Sequence, residues 1–142
     1  MAQKRSILVV DDESGVREAI GTILKPKYDV YTAADGNEAI QFIQKDKIDI
    51  VTLDLTMPGL SGIEVLKQIK RRNADIEVIV ISAHGTPQNH QEAVRHGADD
   101  FIMKPFNAPD LINSVSKSLE RRAYNLRLRN FARYNSSVIV RD

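Results

Sequence analysis

The side chains of this 142-residue chain best suited to chemistry stand immediately after short apolar runs. Asp11 and Asp12 follow the first run, Asp54 follows the third, Ser82 the fourth and Lys104 the fifth. If the runs are parallel strands, their carboxyl ends meet at one edge of a sheet, where ligands of such sheets bind. The spacing therefore predicts three carboxylates, a hydroxyl and an ammonium group at one site.

This set of groups suits the transfer of a phosphoryl group. Three neighbouring carboxylates repel one another unless a cation offsets them. Because the ligands are all oxygens, the cation they favour is a hard one, most naturally Mg²⁺. A carboxylate beside Mg²⁺ can attack phosphorus and form an aspartyl phosphate, while the ion and a lysine neutralise the phosphoryl charge.

Taken singly, each of these residues has an ordinary explanation. Asp11 and Asp12 could cap the first helix and complement its dipole, and Asp54 could open a turn. Ser82 alone would be a loop hydroxyl, and Lys104 alone a surface lysine. The hypothesis of a phosphoryl site rests on their occurring together, at the ends of four different strands.

Five apolar runs alternate with longer amphipathic segments. Three of the runs are continuous rather than alternating, as expected for strands covered on both faces, and the segments between runs are long enough for crossover connections. The pattern predicts a doubly wound α/β fold with a parallel sheet and right-handed crossovers. The predicted strands are Ser6–Val10, Tyr28–Ala33, Ile48–Leu53, Ile76–Ile81 and Asp100–Met103.

The intervening segments predict five helices. Capping-box pairs precede the second and third helices, and a Thr-Pro pair precedes the fourth (Asp35/Glu38, Ser61/Glu64, Thr86/Pro87). The fourth helix has only a thin apolar stripe, mainly Ala93 and Val94. The fifth is expected to begin near Asn107 and to bury Leu111, Ile112, Val115 and Leu119.

Composition excludes several classes of protein. The chain has no cysteine, which rules out a disulfide framework, a thiolate metal site and a cysteine nucleophile. No apolar run approaches the roughly 18 residues of a membrane span, and the N-terminus lacks a signal-peptide core. We therefore expect a soluble, cytoplasmic protein without membrane association.

The net charge of +1 is distributed unevenly. Residues 1–116 carry 13 basic and 17 acidic side chains, whereas residues 117–142 carry 7 and 2. The basic end could contact nucleic acid or an acidic partner, or be a solvated helical extension. Its helical pattern loses definition over Ala132–Asp142. Ile112, Leu119 and Leu126 are seven residues apart, but Arg122 and Arg129 interrupt this heptad, so the sequence neither establishes nor excludes a coiled-coil dimer.

Four segments match one family pattern: Asp11–Asp12, Asp54–Gly62, Ser82–Ala83 and Phe101–Phe106. On these segments, and in register over residues 4–121, the chain resembles the receiver domain of two-component response regulators. The resemblance implies a flavodoxin-like fold of five parallel strands in the order 2-1-3-4-5, with an extended C-terminal helix. It also implies a receiver domain at residues 1–121 and a basic helical linker or tail at residues 122–142.

The resemblance assigns the metal site and the phosphoacceptor. Asp54 matches the aspartate that takes a phosphoryl group from a phosphohistidine. Asp12 matches the direct Mg²⁺ ligand and Asp11 the acid that usually holds the ion through water. Asp54 and the backbone carbonyl of Thr56 complete the implied ligand set.

The resemblance also assigns the groups that stabilise and report the phosphoryl group. Lys104 matches the lysine that pairs with its oxygens, and the backbone of Ala83 lies beside it. Ser82, standing where threonine is commoner, matches the hydroxyl of the switch, and Phe101 matches its aromatic partner. The Lys104–Pro105 bond is expected to be cis.

The implied function is a signalling switch rather than a metabolic enzyme, with slow self-dephosphorylation. Its implied partner is a sensor histidine kinase or a phosphotransfer protein. The switched surface, formed by the fourth helix, fifth strand and fifth helix, would control dimerisation or an output domain that is missing from this chain. A homodimer is a further expectation, and direct nucleic-acid binding by the receiver is not expected.

Three other functions share part of the pattern. A non-phosphorylated pseudo-receiver would act by protein contacts alone. A haloacid-dehalogenase-like phosphatase would need a second acid two residues after the nucleophile, where this chain has Thr56. A flavin-binding module would need a phosphate-cradling loop after the first strand, where the acidic Asp11–Glu13 would repel a phosphate.

Overall fold

Five parallel strands form a single sheet in a computed structural model that describes the backbone of residues 3–141 and the side chains of residues 3–135. Their order is β2-β1-β3-β4-β5, as the resemblance implied. The predicted runs agree with the strands to within two residues at each end. The strands are β1 (Ser6–Val10), β2 (Asp29–Ala33), β3 (Ile50–Leu53), β4 (Glu77–Ser82) and β5 (Asp100–Met103).

Five helices connect and follow the strands. The predicted caps are confirmed, because the side chains of Asp35, Ser61 and Thr86 each accept a hydrogen bond from the backbone N–H three residues later. The helices are α1 (Ser14–Leu24), α2 (Gly36–Lys45), α3 (Gly62–Arg72), α4 (Pro87–Arg95) and α5 (Ala108–Arg141).

The core has two apolar layers, one on each face of the sheet. Alternate strand residues supply the two layers, because successive side chains of a strand point to opposite faces. One layer packs the sheet against α2 and α3, and the other packs it against α1 and α5. Burial of both faces explains the continuous apolar runs and fixes the strand ends that carry the site.

Two predicted core residues are instead exposed. Val94 on α4 is 54% exposed, and only Ala93 of that helix is buried. Ile112 on α5 is 38% exposed, whereas its neighbour Leu111 is completely buried. In both cases the step of 100° between successive helical residues turns the second side chain away from the sheet.

The fifth helix is longer than its sequence pattern predicted, since it continues without a break to Arg141. Beyond Arg121 it is not simply solvated, because Arg122 and Arg129 contact acidic residues of the domain itself. Among the described residues, no helix is long and apolar enough to span a membrane. Met1, Ala2 and Asp142, which the predicted domain boundaries include, lie outside the described residues.

Candidate functional site

The carboxyl ends of the strands bring the predicted acidic residues together. Asp11 follows β1 and is 2% exposed, while Asp54 follows β3 and is 5% exposed. Asp12 is exposed beside them. One carboxylate oxygen from each of the three lies within 4.8 Å of the others. Buried carboxylates packed this closely repel one another, so the cluster requires positive charge.

Lys104 supplies part of that charge from the end of β5. Its Nζ donates to Oδ2 of Asp11 at 2.8 Å and to Oδ2 of Asp54 at 3.3 Å. Burial by itself would lower the pKa of Lys104, but the hydrogen bond to Asp11 and the negative charges of both aspartates outweigh burial and raise it. The lysine is therefore a fixed cation that bridges two strand ends.

The two oxygens of the buried Asp54 carboxylate have different partners. Oδ1 accepts a hydrogen bond from the backbone N–H of Thr56 at 3.1 Å, and Oδ2 faces Lys104. Burial raises the pKa of Asp54 above its ordinary value, the charge of Asp11 adds to the rise, and Thr56 and Lys104 offset it only in part. A carboxylate held this way is poorly solvated, which favours nucleophilic attack on an electrophile that can reach it.

Local backbone bonds hold Asp11 in the site. Its Oδ1 accepts from the N–H of Glu13 at 2.9 Å, and its carbonyl oxygen accepts from Nη1 of Arg17 at 2.7 Å. The residue that caps α1 is Glu13, and its side chain makes no capping bond. Neither Asp11 nor Asp12 is therefore the N-cap residue of α1.

A close glycine contact sets the path of the loop after Asp54. The N–H of Gly62, at the start of α3, donates to the carbonyl of Leu55 at 3.1 Å. A Cβ at Gly62 would lie 2.3 Å from Cα of Leu55 and 2.6 Å from the carbonyl oxygen of Asp54. Only glycine lets α3 begin this close to the end of β3.

The predicted switch residues lie at the ends of β4 and β5. Ser82 is fully buried, and its Oγ accepts from the N–H of His84 at 3.1 Å. Ala83 is exposed beside it. Phe101 is half-buried, and its ring meets the ring of His90 edge-on, with centroids 5.1 Å apart and planes at 71°.

The Lys104–Pro105 bond is cis, the conformation that the resemblance implies.

Two residues that contact the site were not identified from the sequence. Neither Arg17 nor His90 stood out, because an arginine in the first turn of a helix and an exposed histidine are ordinary. Their roles come from contacts with Asp11 and Phe101 that only the folded chain shows.

Comparison with known proteins gives one consistent result. The model of the response regulator receiver domain family matches residues 7–116. A CheY-like receiver domain protein from Methanospirillum hungatei superposes with a TM-score of 0.84 at 25% identity, over 87% of this chain and 99% of that one. The receiver domain of a LuxO repressor protein from Vibrio parahaemolyticus gives 0.83 at 31% identity, over 89% and 98%.

A longer protein also contains a similar domain. NtrX from Brucella abortus superposes with a TM-score of 0.86 at 33% identity, over 91% of this chain. The match covers 30% of NtrX, so this chain corresponds to less than a third of that protein.

Proposed function

The chain belongs to the response regulator receiver domain family, and on that premise we propose that Asp54 accepts a phosphoryl group. The observation that carries the proposal is the placement of the buried Asp54 carboxylate between Lys104, the N–H of Thr56 and two further aspartates. The donor would be the phosphohistidine of a sensor kinase or of a phosphotransfer protein. A carboxylate oxygen of Asp54 bonds to phosphorus as the P–N bond of the donor breaks, and the donor imidazole, already protonated on its other ring nitrogen, leaves as a neutral histidine side chain.

The acidic cluster fits Mg²⁺. Its oxygen donors are the ligands that this hard cation prefers, and three of them lie within 4.8 Å of one another. Asp11, Asp12, Asp54 and the backbone carbonyl of Thr56 would hold the ion. Bound there, Mg²⁺ would neutralise charge shared by the carboxylates and the phosphoryl group.

Lys104 would hold the phosphoryl oxygens through the same ammonium group that now contacts Asp11 and Asp54. The backbone of Ala83 borders the site, and its small, exposed side chain leaves room for a donor or for water. Water reaching the acyl phosphate would account for slow self-dephosphorylation. The chain would then act as a switch rather than as an enzyme with its own substrate.

The switch would use Ser82 and Phe101. The Ser82 hydroxyl, which now accepts from the N–H of His84, would turn to donate to a phosphoryl oxygen. That movement would open space for Phe101, whose half-buried ring would turn inward from its contact with His90. Phosphorylation would thereby shift the population of conformations at α4, β5 and the start of α5.

The output would be a change in protein contacts in the cytoplasm. The resemblance to one part of NtrX supports an output domain beyond this chain in a longer protein, and self-association is an alternative output. The proposal assigns the receiver itself no contact with DNA or with a membrane.

Intact-mass spectrometry tests the chemistry directly. The chain is incubated with acetyl phosphate, with and without Mg²⁺, alongside Asp54→Asn and the exposed-site control Asp46→Asn. We expect one phosphoryl adduct on the wild type and on Asp46→Asn, only with Mg²⁺, and none on Asp54→Asn. Failure of the wild type to form an adduct or to bind beryllofluoride would reject the proposal in favour of a pseudo-receiver.

A further inference from the structure

A basic cavity of about 720 Å³ lies between the C-terminal ends of α3 and α4. Lys67, Lys70 and Arg71 are spaced by three and four residues, so they lie on one face of α3. Arg95, the last residue of α4, and its C-cap residue His96 line the same cavity. We call these five residues the α3/α4 basic groove.

The inner part of this groove is fixed by the half-buried Lys70 and Gly97. Nζ of Lys70 donates to the carbonyl of Ile76 at 2.6 Å and to Oδ2 of Asp99 at 2.8 Å. Gly97 has a left-handed φ of 105°, and its N–H donates to the carbonyl of Val94 at 3.1 Å to end α4. A Cβ on Gly97 would lie 3.0 Å from Cγ of Lys70. The end of α4 is therefore held closely against α3, and the groove has a defined shape.

The outer cations of the groove are free to bind an anion. Arg71 and Arg95 are exposed, and neither forms an ion pair with any residue among 3–135. Nζ of Lys67 lies 4.0 Å from a carboxylate oxygen of Glu64, at the outer limit of an ion pair. These three side chains therefore offer hydrogen-bond donors to a ligand made of acceptors.

The usual role of basic residues at helix ends accounts for only part of this charge. The dipoles of two helix C-termini together amount to about one negative charge. The lining has four basic side chains and one acidic one, Asp99, which is a net charge of +3 with His96 neutral. Residues 1–116 as a whole carry fewer basic than acidic side chains, 13 against 17. Positive charge is therefore concentrated at the groove beyond what helix dipoles or composition require.

We propose that the α3/α4 basic groove binds a small ligand that carries two or three linked phosphate groups. Linked phosphates bring several negative charges into one cavity, whereas the carboxylates of a peptide bring one charge per residue. The guanidinium groups of Arg71 and Arg95 can each donate two hydrogen bonds to a phosphate. Among the described residues, no phenylalanine, tyrosine or tryptophan lines the groove, so the phosphate chain rather than a base would be recognised.

Such a ligand would join α4 to α3. Only Ala93 of α4 is buried, so few apolar contacts hold this helix, and a phosphate chain bound by both Arg71 and Arg95 would restrain it. The groove lies at the amino ends of the strands, whereas Asp54 lies at their carboxyl ends. Ligand binding therefore does not rest on the proposed phosphorylation, and either can fail alone.

Isothermal titration calorimetry of the full chain in Mg²⁺-free buffer tests the groove, because the acidic cluster repels phosphate when it holds no cation. We expect tripolyphosphate and ATP to bind with equal affinity, one per chain, and adenosine not to bind. Arg71→Gln and Arg95→Gln should each weaken tripolyphosphate binding about fivefold. Arg127→Gln, at an exposed arginine outside the groove, should leave it unchanged. No binding of tripolyphosphate, or binding that neither groove substitution weakens, would overturn the proposal.

Two polymeric anions test whether the groove instead serves a macromolecule. A short oligothymidylate and a hexaglutamate peptide are titrated under the same conditions. We expect both to bind more weakly than tripolyphosphate, because each spreads its charges along a chain. Tighter binding of the oligonucleotide would reject the proposal in favour of a nucleic-acid surface, and tighter binding of the peptide would reject it in favour of an acidic protein partner.

Hydrogen exchange tests the link between the two helices. Tripolyphosphate should slow the exchange of backbone amides in α4, because a bound phosphate chain opposes local opening of that helix. Arg95→Gln should remove most of the slowing at the same tripolyphosphate concentration. Unchanged exchange in α4 of the wild type saturated with tripolyphosphate would contradict a ligand that joins α4 to α3.

Discussion

The ammonium group of Lys104 donates a hydrogen bond to Oδ2 of Asp11 at 2.8 Å, although the two residues stand 93 positions apart in the sequence. This contact joins the end of β5 to the end of β1. It makes Lys104 a counter-charge for the acidic cluster. Under the proposed function the same ammonium group would also contact a phosphoryl oxygen, and Lys104 and a bound cation would act on the same aspartate and repel each other.

Lys104→Met should separate these two roles. Removal of a buried like charge beside the cluster should tighten Mg²⁺ binding about fivefold, as measured by isothermal titration calorimetry. Phosphorylation by acetyl phosphate should nevertheless slow, because one group that neutralises the phosphoryl charge is lost. Weaker Mg²⁺ binding by the variant would contradict this account of Lys104.

Gly62→Ala should damage both the fold and the site. The new Cβ would meet backbone atoms of Asp54 and Leu55 that cannot move as a side chain can. We expect a loss of about 2 kcal/mol in the free energy of unfolding, measured by urea denaturation, together with slower labelling of Asp54. Gly15→Ala on α1 is the control, since nothing lies within 4 Å of its Cβ, and it should be neutral or slightly stabilising.

Ser82→Ala should uncouple the switch from the chemistry. Asp54, Lys104 and the acidic cluster stay in place, so Mg²⁺-dependent labelling should persist. The hydroxyl that would follow the phosphoryl group is lost, so the Phe101 ring should keep its resting NMR signals when beryllofluoride is added. Ser82→Thr keeps the hydroxyl and should restore the response, and a full response in the alanine variant would remove Ser82 from the switch.

The sequence predicted the part of the molecule that depends on periodicity and on strand ends. Continuous apolar runs indicated a sheet buried on both faces, and that topology alone placed Asp11, Asp54, Ser82 and Lys104 at one edge. The exposure of Val94 and Ile112 could not be predicted from the sequence in the same way. Each follows a small or apolar neighbour that fills the core, and only the rotation of the packed helix decides which of the two is buried.

The docking of α5 was hidden for a different reason. Arg122 binds the carbonyl of Asp75 across 47 positions, and Arg129 binds its carboxylate across 54. In the sequence these arginines only interrupt an apolar heptad at 112, 119 and 126. In the folded chain they instead attach the C-terminal half of α5 to Asp49 and Asp75, which precede β3 and β4.

Arg122→Ala should destabilise the domain more than its position near the end of the chain suggests. Asp49 is 4% exposed, and its Oδ2 accepts from the N–H of Ser6. Among the side chains of residues 3–135, the one ion pair that reaches its Oδ1 is that with Arg122. Loss of the arginine would leave a buried charge without its cation, at a cost of about 3 kcal/mol in the free energy of unfolding.

Arg127→Ala is the matched control for Arg122→Ala. Arg127 is exposed, and among residues 3–135 it forms no ion pair. Its loss should change the free energy of unfolding by less than about 0.5 kcal/mol in the same urea titration. Equal effects of the two substitutions would show that Arg122 acts through helix stability rather than through Asp49.

Glu77→Gln should stabilise the domain at neutral pH. Burial raises the pKa of Glu77 above its ordinary value, the charge of Asp99 adds to the rise, and the 2.6 Å bond from Arg121 offsets it only in part. A carboxyl whose pKa is raised in the folded state adds to the free energy of unfolding at pH values below its ordinary pKa. That contribution is lost as the pH rises through the raised pKa of the folded state. The neutral glutamine should therefore exceed the wild type in stability at neutral pH, and the difference should vanish in acid.

Asp75→Asn is the control for Glu77→Gln, because it should change the free energy of unfolding at neutral pH in the opposite direction. The hydrogen bond from Arg129 lowers the pKa of Asp75, so its ionised form stabilises the folded chain above its ordinary pKa and loses that effect as the pH falls. The asparagine variant should therefore be less stable than the wild type at neutral pH and converge with it in acid. Urea titrations of both variants at several pH values would measure the two trends, and trends of the same sign would contradict the opposite charge environments of the two carboxylates.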